Sequence, residues 1–205
     1  MTLRSGDPQI DTERLVLRRV SPDDLPFYER VHADPDVARY ISHGNPRTSA
    51  ESRAWLDQVL LSYETLQLGQ LAITLKDSGA LIGRAGLSHL EVDDEPAGDG
   101  IRSAYYFPLR APSGVPCTAQ SELGYTLDKA AWGNGYAHEA VEAVFRYAMT
   151  HRPADRIVSL IHSDNTRSKH LAGKFAAKPV DRVRLWDRHF DRYVWPVGKS
   201  PSTER

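Results

Sequence analysis

The sequence contains a single cysteine, so no disulfide can form within the chain. Cys117 is the one cysteine among 205 residues, a usage that fits a reducing compartment. Residues 1–8 lack the apolar core of a signal peptide, and no apolar run approaches the roughly 20 residues of a membrane span. These absences predict a cytoplasmic protein that does not enter a membrane.

An excess of charge of either sign is also missing. The 26 basic and 27 acidic residues leave a formal net charge of −1, which gives no electrostatic reason to expect nucleic acid or an anionic membrane. The eight histidines show no spacing typical of a metal site. We therefore expect no metal, no nucleic acid and no membrane among the binding partners.

The length favours a single domain, because 205 residues can bury one substantial core but scarcely two. The predicted domain covers residues 1–197, beginning with a loose leader at 1–11, and a polar tail follows at 198–205. Four prolines and several glycines make residues 92–120 an irregular insert. A connection this long is either functional or disordered, and the sequence leaves both interpretations open.

Hydrophobic periodicity predicts a strand, a turn and a helix in the centre of the chain. Apolar residues alternate with others over 122–127, which is typical of a strand, and recur at helical spacing over 137–148. Between them, residues 132–137 include Gly133 and Gly135. Glycines at a helix N-terminus let backbone N–H groups point outward, where they attract phosphate. The sequence therefore predicts a site for a pyrophosphate-bearing cofactor.

Capping residues and further apolar patterns predict the other elements. Helices are expected to begin at Ser21, Asp34, Thr48 and Asn165, and the last of them to be closed by Pro179. Strands are expected over 14–20, 71–76, 81–90, 156–162, 183–187 and 193–197. The strand at 156–162 would run parallel to that at 122–127 if the helix between them is a crossover.

Three kinds of phosphate-binding turn compete for residues 132–138. A P-loop needs Lys-Ser or Lys-Thr after its last glycine, where this chain has Ala137 and His138. A dinucleotide turn needs glycine or alanine in place of His138, although Asp164 could serve as its ribose-binding acid. The dinucleotide interpretation stays a minor alternative, and the third kind rests on a wider resemblance.

Five sequence blocks, taken in order, resemble those of the GCN5-related N-acetyltransferase superfamily and of its branch of ribosomal-protein N-alpha-acetyltransferases. The blocks are residues 12–18, 79–87, 122–125, 132–140 and 165–174. The chain departs from the family pattern at Trp132, where the family has a polar residue, and at Ala176 and Ala177, where it usually has Gly-Phe. The insert at 92–120 has no clear counterpart.

The resemblance implies a mixed α/β (α+β) acetyltransferase fold, in which helices flank a central, mostly antiparallel sheet with one splayed parallel strand pair. It also implies acetyl-CoA as co-substrate and an amine acceptor as the second partner, and it leaves a homodimer open. The cofactor-binding residues that it implies are Tyr125, Thr126, Leu127, Trp132, Gly133, Asn134, Gly135, Tyr136, Ala137, Asn165 and Ser168.

Each of these residues has an implied task. Backbone N–H groups of residues 133–137 would hold the diphosphate, and those of the strand end at 125–127 would polarise the thioester carbonyl. Leu127 and Asn165 would line the pantetheine arm. Ser168 would protonate the leaving thiolate, unless its hydroxyl only caps a helix.

The implied reaction is direct transfer of acetyl to a primary amine without an acyl-enzyme. Glu122, on the polar face of its strand, is the first candidate for the general base, and Asp187 and Asp191 are the substitutes. Glu122 could instead bind the positive charge of the acceptor. The acceptor would be a protein N-terminus or a small-molecule amine such as an antibiotic. A non-catalytic acyl-CoA-binding module is the alternative function.

Overall fold

The computed structural model describes residues 9–153 and 155–196. The predicted tail at 198–205 and most of the predicted leader lie outside the described residues. Contacts along the chain divide it into two compact units, here called unit 1 (Met1–Leu87 and Gly124–Phe145) and unit 2 (Ser88–Leu123 and Arg146–Arg205). The single domain over 1–197 stays a prediction.

The described residues form five α-helices and nine strands. The helices are α1 (Leu25–Ala33), α2 (Pro35–Ala38), α3 (Ser49–Leu66), α4 (Tyr136–His151) and α5 (Thr166–Lys174). The strands are β1 (Ile10–Asp11), β2 (Leu15–Arg19), β3 (Gln70–Leu75), β4 (Leu81–Asp93), β5 (Arg102–Tyr106), β6 (Cys117–Leu127), β7 (Ile157–His162), β8 (Lys178–Leu185) and β9 (Arg188–Val194). Short 3-10 turns at Pro22–Asp24 and Lys129–Ala131 precede α1 and α4.

Unit 1 packs helices against an antiparallel sheet in the order β1, β2, β3, β4. Its core joins the inner faces of α1 and α3 to the sheet, because the apolar residues of both helices recur at helical spacing. The buried members are Val20, Leu25, Tyr28, Leu56, Val59, Tyr63 and Ala72. Residues 20–72 of unit 1 therefore share one hydrophobic core.

Two capping boxes start the helices of unit 1 at the predicted residues. The Ser21 hydroxyl accepts from a backbone N–H of the next turn, and the Asp24 carboxylate accepts from the backbone of Ser21. Thr48 and Glu51 make the same reciprocal pair at the start of α3. These caps satisfy N–H groups that have no partner inside the helix.

The strands of unit 2 pair in the order β4, β5, β8, β9, β7, β6, where β4 contributes residues 88–93 and β6 contributes residues 117–123. Strands β4 and β6 also pair with each other. Two of the pairings are parallel, whereas the sequence predicted one. The predicted pair joins β6 to β7, with Glu122 beside Val158. The second joins β5 to β8, with Arg102 beside Val183, and corrects the prediction. It was missed because β5 lies in the segment that was expected to be irregular.

The insert at 92–120 is therefore not wholly irregular. It contains β5 and the first residues of β6, which begins at Cys117. The loop between them is tied down by Glu91, whose carboxylate accepts from Arg110 Nη1 at 2.6 Å and from the Ala111 N–H at 3.1 Å. Five-residue strands flanked by proline and glycine carry too little periodicity to be recognised in sequence.

The end of α5 also differs from the prediction. The helix ends at Lys174, and Pro179 lies in β8 rather than at the helix terminus. Ala176 takes a left-handed conformation with φ of 57° and reverses the chain. A left-handed residue after a helix is usually glycine, which accounts for the glycine that the family has at this position.

Candidate active site

The strand–turn–helix segment has the predicted form in unit 1. After β6 ends, the Asp128 side chain caps the 3-10 turn, and the Trp132 indole N–H donates to the Leu127 carbonyl at 3.1 Å. Gly133 and Gly135 follow with φ of 81° and 79°, a region that side chains with Cβ rarely enter. The chain can therefore make this turn only because glycine stands at both positions.

The space in front of the turn is open. Gly133 and Gly135 are exposed, and a Cβ built on Gly133 meets no atom within 4 Å. Helix α4 begins directly afterwards at Tyr136 and continues for 16 residues. The first N–H groups of a helix have no acceptor inside it and carry a partial positive charge, so this end of α4 suits an anion.

A bridge from the other end of the chain fixes the turn. Arg14 donates from Nη1 to the Asn134 carbonyl at 2.9 Å and from Nε to Glu139 Oε2 at 2.7 Å. Glu139 also accepts from the Thr12 hydroxyl at 2.6 Å and from the Arg14 N–H at 2.8 Å. The Arg14 guanidinium lies 4.7 Å from the centre of the Tyr136 ring. We call these contacts the Arg14–Glu139 bridge.

The bridge sets the charge beside the turn. Burial alone would raise the pKa of Glu139, but hydrogen bonds from Thr12 and Arg14 together lower that pKa below its ordinary value. The hydrogen bond to Glu139 in turn raises the pKa of Arg14. The carboxylate in the first turn of α4 is therefore compensated by a cation, which reduces its repulsion of an anion at the turn. Sequence reasoning missed this bridge, although both of its ends lie in family-like blocks.

Strand β4 approaches the end of β6 very closely. A Cβ on Gly83 would lie 2.9 Å from the Leu127 Cα and closer still to the Thr126 carbonyl oxygen, so only glycine fits there. Thr126 is buried, and its hydroxyl has no hydrogen-bond partner among the described residues. The strand end that was predicted to polarise a carbonyl thus holds a buried polar group without a protein partner.

Unit 2 contains the predicted catalytic residue Glu122, which is buried in β6. One position further along the pairing of β6 with β7, the Ser159 hydroxyl donates to the Leu123 carbonyl at 2.6 Å and accepts from the Trp195 indole at 2.9 Å. The Leu123 carbonyl therefore accepts a hydrogen bond from a side chain, at the position directly after the backbone pair of Glu122 and Val158. Ser159 was not among the predicted residues, and nothing in its local sequence distinguishes it.

Asn165 caps helix α5, as predicted, because its Oδ1 accepts from the Ser168 N–H at 3.1 Å. Ser168 is half-buried in the first turn of that helix. The Asn165 side chain is therefore engaged with its own helix. The roles predicted for both residues toward a cofactor stay predictions.

The two substitute bases occupy different surroundings. Asp191 accepts from Lys169 at 2.7 Å and from Arg182 at 3.3 Å. Burial would raise the pKa of Asp191, but these two cations together lower it below its ordinary value, which weakens Asp191 as a base. Asp187 lies exposed in the turn between β8 and β9 with φ of 56°.

Residues 9–153 and 155–196 contain no group of three or more histidine, cysteine, aspartate or glutamate side chains arranged to hold a metal ion. No helix in the same residues is long and apolar enough to cross a membrane. Burial and the nearby Glu91 raise the pKa of Cys117, which disfavours its thiolate.

Comparisons with known proteins bear on this geometry. The acetyltransferase (GNAT) domain family matches residues 14–178. The uncharacterized N-acetyltransferase p20 of Bacillus licheniformis is 24% identical over 185 residues, which is 89% of each chain. A crystal structure of an acetyltransferase from Agrobacterium tumefaciens superposes with a TM-score of 0.67 at 24% identity, covering 96% of this chain and 98% of that one.

A second similar structure was solved with a bound cofactor. It is the ribosomal L7/L12 alpha-N-protein acetyltransferase RimL in complex with coenzyme A, with a TM-score of 0.66 and 13% identity. The superposition covers 93% of this chain and 98% of RimL. At such identities, the two superpositions show a shared fold.

Proposed function

Because the chain belongs to the GNAT acetyltransferase family, as the sequence predicted, we propose that it transfers an acetyl group from acetyl-CoA to a primary amine. The family assignment makes the protein an acyltransferase, and the mixed α/β fold agrees with it. The observation that carries the cofactor proposal is the open glycine turn at the start of α4, held by the Arg14–Glu139 bridge.

In this proposal the turn binds the diphosphate of acetyl-CoA. Backbone N–H groups from Gly133 to Ala137 donate to the phosphate oxygens, Trp132 lies at the edge of the site, and the partial charge at the start of α4 adds to the attraction. The N–H groups of Tyr125, Thr126 and Leu127 supply the donor that polarises the thioester carbonyl. Asn165 and Ser168 are the remaining residues proposed to contact the cofactor.

The chemical step is attack by the neutral amine on the thioester carbonyl carbon. Glu122 takes the proton that the ammonium form loses, either directly or through a water, and the carbonyl oxygen becomes an oxyanion. The C–S bond then breaks as the carbonyl re-forms, while the nitrogen loses its second proton. The Ser168 hydroxyl relays this proton: it gives its own proton to the leaving thiolate and receives the one from the nitrogen. Amide and free CoA are the products, and no acyl-enzyme forms.

The acceptor classes are a protein N-terminus and a small-molecule amine. A thiol-release assay with acetyl-CoA and a panel of peptides, amino acids, polyamines and aminoglycosides tests the proposal. We expect release that depends on one class of amine. Tight acetyl-CoA binding with no turnover on any amine would instead support the non-catalytic acyl-CoA-binding module.

A binding measurement distinguishes the acetyl-CoA proposal from the dinucleotide interpretation. The dinucleotide interpretation predicts that NAD or NADP protects the protein against heat and that CoA does not. We expect the reverse, because the family match and the absence of a third glycine at His138 both favour CoA. Protection by NAD alone would overturn the cofactor proposal.

A further inference from the structure

A cluster of cationic and aromatic side chains, one of them buried and three half-buried, lies in unit 1, apart from the glycine turn. Arg47 comes from the loop before α3, Arg84 from β4 and His32 from the end of α1. The Trp55 ring contacts two of them, with its centre 5.0 Å from the Arg84 guanidinium and 4.9 Å from the His32 ring. We call these four residues the Arg47–Arg84 cluster.

Arg47 and His32 each have one buried polar atom without a hydrogen-bond partner among the described residues. Arg47 Nη1 and His32 Nε2 are both inaccessible to water and make no hydrogen bond among the described residues. The rest of the Arg47 side chain donates from Nη2 to the Ser42 hydroxyl, and His32 Nδ1 lies 3.2 Å from the Ser52 hydroxyl. Leaving a charged donor buried and unsatisfied is costly, so an outside partner would stabilise it.

The charges in the cluster are positive, and the carboxylate that acts on Arg47 lies at the surface. Burial and the neighbouring Arg84 lower the pKa of Arg47 to about 10, and burial with both arginines lowers the pKa of His32 to about 2. The acid that acts on Arg47 is Glu51, but its carboxylate is exposed and accepts from Thr48. A buried cation whose surroundings are neutral or positive is stabilised by an anion.

Two further contacts near Arg47 bring it no negative charge. Arg84 Nη1 donates to the Gln70 amide oxygen at 2.8 Å. The nearby Asp24 carboxylate is taken by Arg18, which donates to both of its oxygens at 2.7 and 2.8 Å. Neither contact supplies negative charge to Arg47.

Strand register places the cluster beside the strand end at Thr126. The Asp128 N–H donates to the Ile82 carbonyl at 2.9 Å, and β4 and β6 run antiparallel. Two positions further along, Arg84 is the neighbour of Thr126, on the same face and roughly 5 Å away between Cβ atoms. Thr126 Oγ1 is itself buried and has no hydrogen-bond partner in the part of the chain that the structure describes. The cluster therefore borders the strand that, in the proposed function, faces the thioester.

We propose that the amine acceptor carries a carboxylate close to its amine, as an amino acid does, and that Arg47 binds this carboxylate with Arg84 adding positive charge. This inference rests on the proposed function and narrows its acceptor. A guanidinium and a carboxylate match in geometry and form charge-assisted hydrogen bonds. A polycationic aminoglycoside would meet two like charges here and is disfavoured.

The test compares matched acceptors on the wild-type enzyme, so it needs no folded variant. Free L-amino acids and their carboxamides are assayed for thiol release from acetyl-CoA. We expect kcat/KM to fall about 10- to 100-fold when the carboxylate is replaced by the amide, because a hydrogen bond to a charged group is lost. Equal use of acid and amide would overturn the inference and leave the acetyltransferase proposal intact.

Three variants test whether Arg47 is the residue that binds the carboxylate of the acceptor. Arg47→Met should abolish the preference for the acid over the amide, and Arg47→Lys should retain part of it, because lysine keeps the charge without the planar fork. Arg53→Met removes the same charge from an exposed position of α3 and should leave the preference unchanged. Loss of the preference in Arg53→Met as well would overturn the assignment to Arg47.

A measurement without turnover separates failure of this inference from failure of the proposed function. Melting temperatures are compared in sodium acetate and in sodium chloride at equal ionic strength. Acetate should stabilise the wild type and Arg53→Met but not Arg47→Met, whether or not any amine is acetylated. Equal stabilisation of all three proteins would overturn the inference. A preference for phosphoethanolamine over every amino acid would show a phosphate site instead and would also overturn it.

Discussion

The glycine turn of unit 1 and the polar side chains predicted to act from unit 2 are built in different ways. The turn presents backbone groups, whose direction is set by the positive φ of Gly133 and Gly135 and held by Arg14. In unit 2 the polar groups are side chains with tasks of their own: Asn165 caps a helix and Asp191 is ion-paired. A binding site made of backbone groups should lose its ligand only when a larger side chain fills the space in front of it. A site made of side chains should instead lose activity by different amounts, depending on which side chain is substituted.

The largest effect is expected from filling the turn. Gly135→Trp places a large side chain where φ is 79° and where a Cβ would lie 3.4 Å from Arg14 Nη2. We expect the affinity for CoA, measured by titration calorimetry, to fall at least about 100-fold. Gly114→Trp is the matched control, since Gly114 also has positive φ, at 84°, but lies in the insert. Unchanged CoA affinity in Gly135→Trp would mean that the turn is not the diphosphate site.

Removing the proposed base should cost less, and the cost should depend on pH. Glu122→Gln is expected to lower kcat/KM about 100-fold at pH 7, because a positioned base contributes a factor of this order. The loss should shrink as pH rises, because more of the acceptor is then already the free amine. Glu64→Gln, an exposed glutamate of α3, is the control. An equal loss at every pH would make Glu122 a positioning residue.

An intermediate effect is expected from breaking the Arg14–Glu139 bridge. Arg14→Met leaves the Asn134 carbonyl and the Glu139 carboxylate without their cation, so Glu139 should repel the diphosphate. We expect the Kd for CoA to rise roughly 3- to 10-fold. Adding Glu139→Gln should recover part of the loss, because it removes the uncompensated charge, and the double-mutant cycle measures this coupling. Additive losses would show that the bridge only stabilises the fold.

The smallest effect on rate is expected at Asp191. Asp191→Asn should change kcat/KM by less than about threefold, because ion pairing already makes this carboxylate a weak base. A loss as large as that of Glu122→Gln would move the base role to Asp191. Asp187→Asn in the exposed turn is the control.

The ion pairs of Asp191 with Lys169 and Arg182 should affect the free energy of unfolding more than the rate. The pKa of Asp191 in the folded protein is lowered, so its contribution is present above its ordinary pKa and is lost as pH falls through the lowered value. Asp191→Asn should therefore lose about 0.5 to 1 kcal/mol of unfolding free energy at pH 7, after discounting for solvent screening. Urea titrations should show that the unfolding free energies of Asp191→Asn and the wild type become more similar near pH 3. A constant difference at both pH values would exclude the ion pairs as its source.

Much of the fold could be predicted because its signals are local. The capping pairs at Ser21 and Thr48, the turn at 132–137 and the stripe of α4 each arise from residues within a few positions of one another. Local hydrogen bonds and side-chain spacing have the same energetics wherever the segment lies. The family resemblance added the order of these segments and, with it, the expected cofactor.

The sequence by itself determined most of the elements and the glycine turn, because backbone conformation depends on nearby residues, and its motifs indicated the acetyltransferase family. Tertiary structure alone decided the pairing of β5 with β8, the bridge from Arg14 across 125 residues to Glu139, and the Arg47–Arg84 cluster. In sequence, each of these arginines resembles an ordinary surface cation. Its energetic role depends on burial and on partners that are distant along the chain, and those exist only once the chain has folded.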